Sequence, residues 1–264
     1  MAGLDSRRKM SERLAAGLMV GLGVVWPTMA SSEWVPLGEP GQGGRLTSIA
    51  VSPHDSSRVL VGGDMLGVAV STDGGSSWGP SFGFSAWEIT SFSWHPVDPD
   101  VVWVGTMSGP YLSTDGGVNW TSQRSGLPNP SSSRYTSPIE QVLFDPQDMD
   151  RLLAVGGSKR QWNAKGDPDF GGVWQSSDGG DSWSRLSTLT ATGSSSSASV
   201  SGINILSATY AGGDSDRLYA TVLNQGVYRS DNGGADWFKF NAGLPHTDVE
   251  KVVAHPTDPD IAYV

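Results

Sequence analysis

Asp64, Glu88 and Glu140 are the acidic side chains whose positions suggest chemistry. Asp64 lies in the glycine-flanked stretch 63–67 that follows an apolar run, and Glu88 and Glu140 stand at the start of two later apolar runs. Carboxyl groups can donate and accept protons, and general acid–base chemistry often pairs one carboxyl group as acid with another as base. Asp64 can be only one of such a pair, and the sequence leaves Glu88, Glu140 or a residue outside the chain as the other.

A short polar motif recurs through the chain and sets its architecture. The stretches 71–78, 113–120, 176–183 and 230–237 read S-T-D-G-G-S-S-W, S-T-D-G-G-V-N-W, S-S-D-G-G-D-S-W and S-D-N-G-G-A-D-W. An aspartate or asparagine can hydrogen-bond the backbone of its own turn, glycines admit positive φ, and tryptophan is a large apolar anchor. We interpret the repeated residues as structural: Asp73, Asp115, Asp178 and Asn232, with Trp78, Trp120, Trp183 and Trp237.

The motif resembles the Asp-box, also called the BNR repeat. That repeat occurs in sialidases, in sortilin-type receptor ectodomains, in xyloglucan-cleaving tandem-propeller glycosidases and in a photosystem II assembly factor. In these families the box is a folding device on the face away from the ligand. The resemblance implies a carbohydrate-active, glycosidase-like protein, or alternatively a non-catalytic propeller that binds or assembles other molecules.

Each box stands in a unit of apolar runs separated by polar turns, and four short antiparallel strands per unit form the blade of a β-propeller. We therefore predict an all-β propeller of four-stranded blades, with about four blades and the start of a fifth in residues 31–264. Residues 33–37 resemble the fourth strand that follows a box, with Trp34 in the place of the box tryptophan, and the other strands of that blade are missing. We expect an N-terminal fragment of a larger ring, which would pack against missing C-terminal blades of the same chain.

The expected ligand face carries the loops between second and third strands and the connections between blades. Candidate ligand-binding residues there are Arg45, Trp87, Arg134, Tyr135, Arg160 and Trp162, since aromatic rings with nearby polar groups suit sugar rings. The loop 159–170 is the longest of its kind, and long loops are often functional. Polar residues where innermost strands begin could bind a cation, a sugar or a basic peptide, or could form only a hydrated rim: Arg45, Glu88, Glu140, Asn204, Asp248 and Glu250.

The stretches 43–49, 52–53 and 63–69 look like the opening of the xyloglucanase-type family. In that family an aspartate after the second strand of the first blade serves as catalytic base, and the resemblance places Asp64 there. Residues 65–67 depart from the family's D-x-G-G pattern. The sialidase resemblance is weaker, because Arg45 is not followed by the expected Ile-Pro.

Composition excludes several other classes. The formal net charge is −10, and no basic stripe suited to nucleic acid is present. The chain has no cysteine and four scattered histidines, and it lacks phosphate-loop and nucleophile-elbow motifs. We therefore expect neither a metal nor another cofactor.

The first 30 residues resemble an export signal. Basic residues at 7–13 precede an apolar core at 14–26, and small residues at 28 and 30 allow cleavage before Ser31. We expect a periplasmic or extracellular protein that begins near Ser31. An uncleaved signal would be its only membrane contact.

Overall fold

The structure is a computed structural model that describes residues 44–65, 67–85, 88–128, 138–157, 171–187 and 204–264. Every regular element in these residues is a β-strand. None of them belongs to a helix long and apolar enough to cross a membrane. The prediction of an all-β chain is confirmed.

The strands form four antiparallel sheets of four strands and one of two, and within each sheet neighbours in the chain are neighbours in space. We number these sheets as blades 1 to 5. Blade 1 contains β1 Leu46–Val51, β2 Val59–Gly63, β3 Val68–Ser71 and β4 Gly79–Pro80. Blade 2 contains β5 Ile89–Trp94, β6 Val102–Thr106, β7 Gly109–Ser113 and β8 Thr121–Ser122. Blade 3 contains β9 Ile139–Phe144, β10 Leu152–Gly156, β11 Gly172–Ser176 and β12 Ser184–Ser187. Blade 4 contains β13 Ile205–Ala211, β14 Asp214–Val222, β15 Gly226–Ser230 and β16 Phe238–Lys239, and blade 5 contains β17 Val253–Ala254 and β18 Ala262–Tyr263.

The second strands show why these sequences fold as blades. Every residue of β2, β6 and β10 is buried, in keeping with their nearly continuous apolar sequences. A strand that is buried on both faces does not need to alternate apolar and polar residues. The fourth strands have only two residues in β4, β8 and β16, so the outer edges expose few unpaired backbone groups.

Blade 5 differs from the sequence prediction at its first strand. Residues 249–254 read as one apolar strand, but only Val253–Ala254 is a strand. Val249 and Val252 are instead buried in a cluster with Tyr219 and Val227 of blade 4. Val249 and Val252 therefore pack against the neighbouring blade, and strand pairing begins only at Val253.

Hydroxyl groups join the first strand of blade 1 to that of blade 2, and the first strand of blade 2 to that of blade 3. Thr47 Oγ1 donates to the carbonyl oxygen of Ile89 at 2.6 Å, and Thr90 Oγ1 donates to that of Ile139 at 2.7 Å. Ser93 Oγ makes the same kind of bond to Val142 at 2.5 Å. Blades 1 to 3 thus have a fixed relative register along their first strands.

The tryptophan of a box packs against the preceding blade. Trp120 lies in a buried cluster with Leu60 of blade 1, Trp183 with Trp103 of blade 2, and Trp237 with Leu153 of blade 3. Trp103 and Trp183 meet edge to face, with ring centroids 5.8 Å apart. The core is therefore a series of apolar layers between blades.

Candidate functional site

The four boxes form turns with the same hydrogen bonds. A serine hydroxyl accepts from the second glycine N–H at 2.8–2.9 Å in every box: Ser71, Ser113, Ser176 and Ser230. In the first three boxes the aspartate Oδ1 accepts from the backbone N–H four residues later, at 2.8 Å from Ser77, 2.8 Å from Asn119 and 2.9 Å from Ser182. These contacts are internal to the turn, so they hold the hairpin together and leave little for a ligand.

Hydrogen bonding keeps the box carboxylates ionised. Donation by the Ser77 side chain lowers the pKa of Asp73 to about 2, and donation by the Ser176 side chain lowers that of Asp178 to about 2. Burial of Asp115 acts to raise its pKa, but hydrogen bonds from Asn119, Ser113 and Val118 outweigh this effect, and the pKa is lower than the ordinary value. None of these groups is poised to give up a proton near neutral pH.

The first box differs in the burial of its tryptophan. Trp120, Trp183 and Trp237 are buried, whereas Trp78 is only partly buried. Each of the three buried tryptophans packs against the preceding blade. Trp78 belongs to the first blade of the described residues.

Asp64 lies at the opposite end of blade 1 from its box. It occupies the loop between β2 and β3, which is closed by a 3.1 Å bond from Gly63 N–H to Gly67 carbonyl. The Asp64 Oδ1 atom accepts from the backbone N–H of Arg45 at 2.9 Å, and the Asp64 N–H donates to the Arg45 carbonyl at 2.9 Å. The Oδ2 atom has no hydrogen-bond partner among the described residues. One carboxylate oxygen is thus fixed and the other is open.

Glu88 reaches this place from blade 2. Its Oε1 atom is 3.3 Å from Nη2 of Arg45, and the Glu88 side chain is 14% exposed while that of Arg45 is 58% exposed. Burial raises the pKa of Glu88, the Arg45 charge acts to lower it, and the Asp64 charge raises it. Arg45 and Asp64, both at the edge of blade 1, therefore act in opposite directions on the pKa of Glu88 in blade 2.

Glu140 lies elsewhere, in β9. With its neighbour Gln141 it lines a cavity of about 730 Å³ whose walls come mainly from the first strands of blades 1 to 4 and from residues 251–253. The Glu140 carbonyl accepts from Ser91 Oγ at 2.7 Å. Glu140 therefore belongs to the central cavity, whereas Arg45, Asp64 and Glu88 form a cluster at the beginning of β1, the end of β2 and the beginning of β5.

Several residues predicted from sequence to form the site lie outside the described residues: Trp87, Arg134, Tyr135, Arg160 and Trp162. The same holds for residues 1–30, which are predicted to be an export signal, and for Trp34. Among the described residues, no three His, Asp or Glu side chains converge on a possible metal position.

Sequence reasoning did not find the contacts that cross between blades. Arg58 pairs with Asp100 of the next blade at 3.2 Å, and Arg217 pairs with Asp260 at 2.6 Å. Both arginines stand directly before or at the start of the apolar part of a second strand, so a recurring Arg at that position was an available signal. The Arg45–Glu88 pair had no such signal, because this arginine and this glutamate do not recur at the equivalent positions of the other units.

Four-stranded blades that each contain the same hydrogen-bonded turn define the chain as an Asp-box β-propeller. No protein-family model matches the chain. It is 29% identical to a xyloglucanase from a Paenibacillus species over 212 residues, which are 78% of this chain and 18% of that protein.

Solved structures show the same likeness. An ancestral GH74 enzyme matches 80% of this chain and 26% of its own with 26% identity and a TM-score of 0.57. The GH74 xyloglucanase from Xanthomonas campestris matches 83% of this chain and 34% of its own with 18% identity and a TM-score of 0.59. The chain therefore spans about a third or less of the length of these relatives.

Proposed function

We propose that the chain belongs to a glycoside hydrolase that cleaves a polysaccharide, with Asp64 as general base and Glu88 as general acid. The observation that carries this proposal is the pairing of the two carboxyl groups around Arg45. Burial raises the pKa of Glu88, and a carboxyl group with a raised pKa is a candidate for the acid role. The 29% identity to a xyloglucanase supports the same class of reaction.

Asp64 suits the role of base. Its Oδ1 atom is held by the Arg45 N–H at 2.9 Å, which fixes the orientation of the carboxylate. Its open Oδ2 atom can accept a proton from water as the water oxygen forms a bond to the anomeric carbon. A general base must lie within hydrogen-bond reach of the proton it removes, and an unoccupied oxygen on a glycine-flanked loop allows this.

Glu88 suits the role of acid. Its burial and the neighbouring Asp64 charge raise its pKa, so more of it stays protonated as the pH rises. In the proposed step the bond from the anomeric carbon to the leaving oxygen breaks, and the Glu88 proton passes to that oxygen. Asp64 gains the proton of the attacking water, so the overall reaction consumes one water, as in inverting hydrolysis.

The substrate is proposed to be a neutral polysaccharide, with xyloglucan as the first candidate because the relative is named for it. The aromatic residues Trp87, Tyr135 and Trp162 are proposed to contact sugar rings. The propeller is further proposed to be exported, because residues 7–30 follow the order of an export signal and a polysaccharide lies outside the cell.

The test is release of reducing ends from a panel of xyloglucan, other β-glucans, xylan and mannan by the purified chain. The proposal expects cleavage of at least one glycan. Binding without cleavage would overturn it and would favour a non-catalytic binding propeller. If the chain neither binds nor cleaves any of these glycans, the assignment of a carbohydrate ligand is wrong.

A further inference from the structure

We propose that Arg45 is a positioning residue that holds Asp64 through its main chain and Glu88 through its side chain. The kinetic part of this inference rests on the proposed function, but the geometric part does not. One residue between two blades thereby fixes where the two carboxyl groups stand relative to each other.

The main-chain contact orients Asp64. Arg45 donates its N–H to Asp64 Oδ1 at 2.9 Å and accepts the Asp64 N–H on its carbonyl at 2.9 Å. Both bonds join the same two residues, so the Asp64 carboxylate is locked to the beginning of β1. Hydrogen bonds to a charged acceptor are stronger than neutral ones, which favours this single orientation.

The side-chain contact crosses to blade 2. Arg45 Nη2 lies 3.3 Å from Glu88 Oε1. The Glu88 backbone is itself anchored, because its carbonyl accepts the Met107 N–H at 3.2 Å. The bond from Thr47 to Ile89 at 2.6 Å joins the same two strands directly beside the pair. Glu88 is therefore held on both its backbone and its carboxylate, and Arg45 connects it to the blade that carries Asp64.

A carboxyl ¹³C NMR titration of Glu88 in the purified chain tests this geometry without any substrate. Arg45→Gln removes the positive charge and is expected to raise the pKa of Glu88, whereas Asp64→Asn removes the negative charge and is expected to lower it. Arg45→Lys keeps the charge and should change the pKa less than Arg45→Gln. A Glu88 pKa that moves in neither Arg45→Gln nor Asp64→Asn would overturn the inference.

Kinetics then separate positioning from substrate contact. If Arg45 positions the pair, Arg45→Gln should lower kcat by about 10- to 100-fold with little change in KM, since small displacements of catalytic groups have effects of this size. The basic limb of the kcat profile should also move to higher pH, because Glu88 must be protonated to act. A raised KM with an unchanged pH profile would show that Arg45 only contacts substrate and would contradict the positioning role. A wild-type chain that cleaves nothing would remove the proposed function and leave the NMR result to decide the geometry.

Discussion

Asn232 donates from Nδ2 to Asp236 Oδ2 at 2.8 Å, which reverses the Asp115–Asn119 pair, where the asparagine Nδ2 donates to the box aspartate at 2.7 Å. The amide and the carboxylate have exchanged places. The backbone bond is kept, since the Asp236 N–H donates to Asn232 Oδ1 at 2.8 Å. The fourth box therefore compensates for its missing aspartate with an aspartate four residues later.

This exchange predicts that Asn232→Asp destabilises the protein although it restores the usual box sequence. Two carboxylate oxygens would then face each other in place of the present 2.8 Å hydrogen bond. For partly exposed charges we expect a loss on the order of 1 kcal/mol in free energy of unfolding, measured by urea denaturation. The double variant Asn232→Asp/Asp236→Asn should recover most of it. A single variant as stable as the wild type would contradict the reversed pairing.

The box carboxylates predict a loss of stability in acid. Asp73 and Asp178 have a pKa of about 2 in the folded protein, below the ordinary 3.8. A group with a lowered folded pKa stabilises the protein above its unfolded pKa, and that contribution is lost as the pH falls through the folded pKa. Stability should therefore fall between about pH 4 and pH 2.

Ser182→Ala tests this directly, because it removes the hydroxyl that donates to Asp178 Oδ2 at 2.5 Å. The Asp178 pKa should rise, and the loss of stability in acid should begin at a higher pH. Melting temperatures of wild type and variant from pH 7 to pH 2 would show the shift. Superimposable profiles would count against the assigned role of this hydrogen bond.

Close approach between blades predicts that a larger side chain at Gly105 destabilises the protein. A Cβ at Gly105 would lie 2.5 Å from the Ile139 carbonyl oxygen and 2.5 Å from Thr90 Oγ1, which are themselves hydrogen-bonded to each other. Gly105→Ala should destabilise by roughly 1–3 kcal/mol or more, as overpacking does. Gly79→Ala is the control, since its nearest neighbour would be 3.9 Å away. Equal urea midpoints for both variants would refute the packing argument.

The sequence predicts the blades well because their signals are local. The sequence runs 89–94, 139–144, 172–176 and 226–230, bounded by turn residues, predict four strands that coincide with β5, β9, β11 and β15. The relation between Asn232 and Asp236 is also local. It could have been predicted from the sequence, because the fourth box has Asn and Asp where the second box has Asp115 and Asn119. The Arg45–Glu88 and Gly105–Ile139 contacts could not, because they depend on how one blade sits against the next over 43 and 34 residues of chain.

The amino terminus gives a separate prediction. Residues 7–30 have the basic, apolar and small-residue order of an export signal, so the mature protein should begin at or near Ser31. Intact-mass measurement and N-terminal sequencing of protein recovered outside the cytoplasm of an exporting host would check it. An intact Met1 in the cytoplasmic fraction would speak against export.

The central claim is that Asp64 acts as the base, and the most direct measurement is kcat/KM of Asp64→Asn on whichever polysaccharide the wild type cleaves. Asp55→Asn, the same change in the first turn of the same blade, is the matched control. The account predicts that Asp64→Asn lowers kcat/KM by about 10²–10⁴-fold, the usual contribution of a general base, while Asp55→Asn stays near wild type. Melting temperatures within a few degrees of wild type should accompany both changes. Full activity in Asp64→Asn, or an equal loss in Asp55→Asn, would contradict the claim.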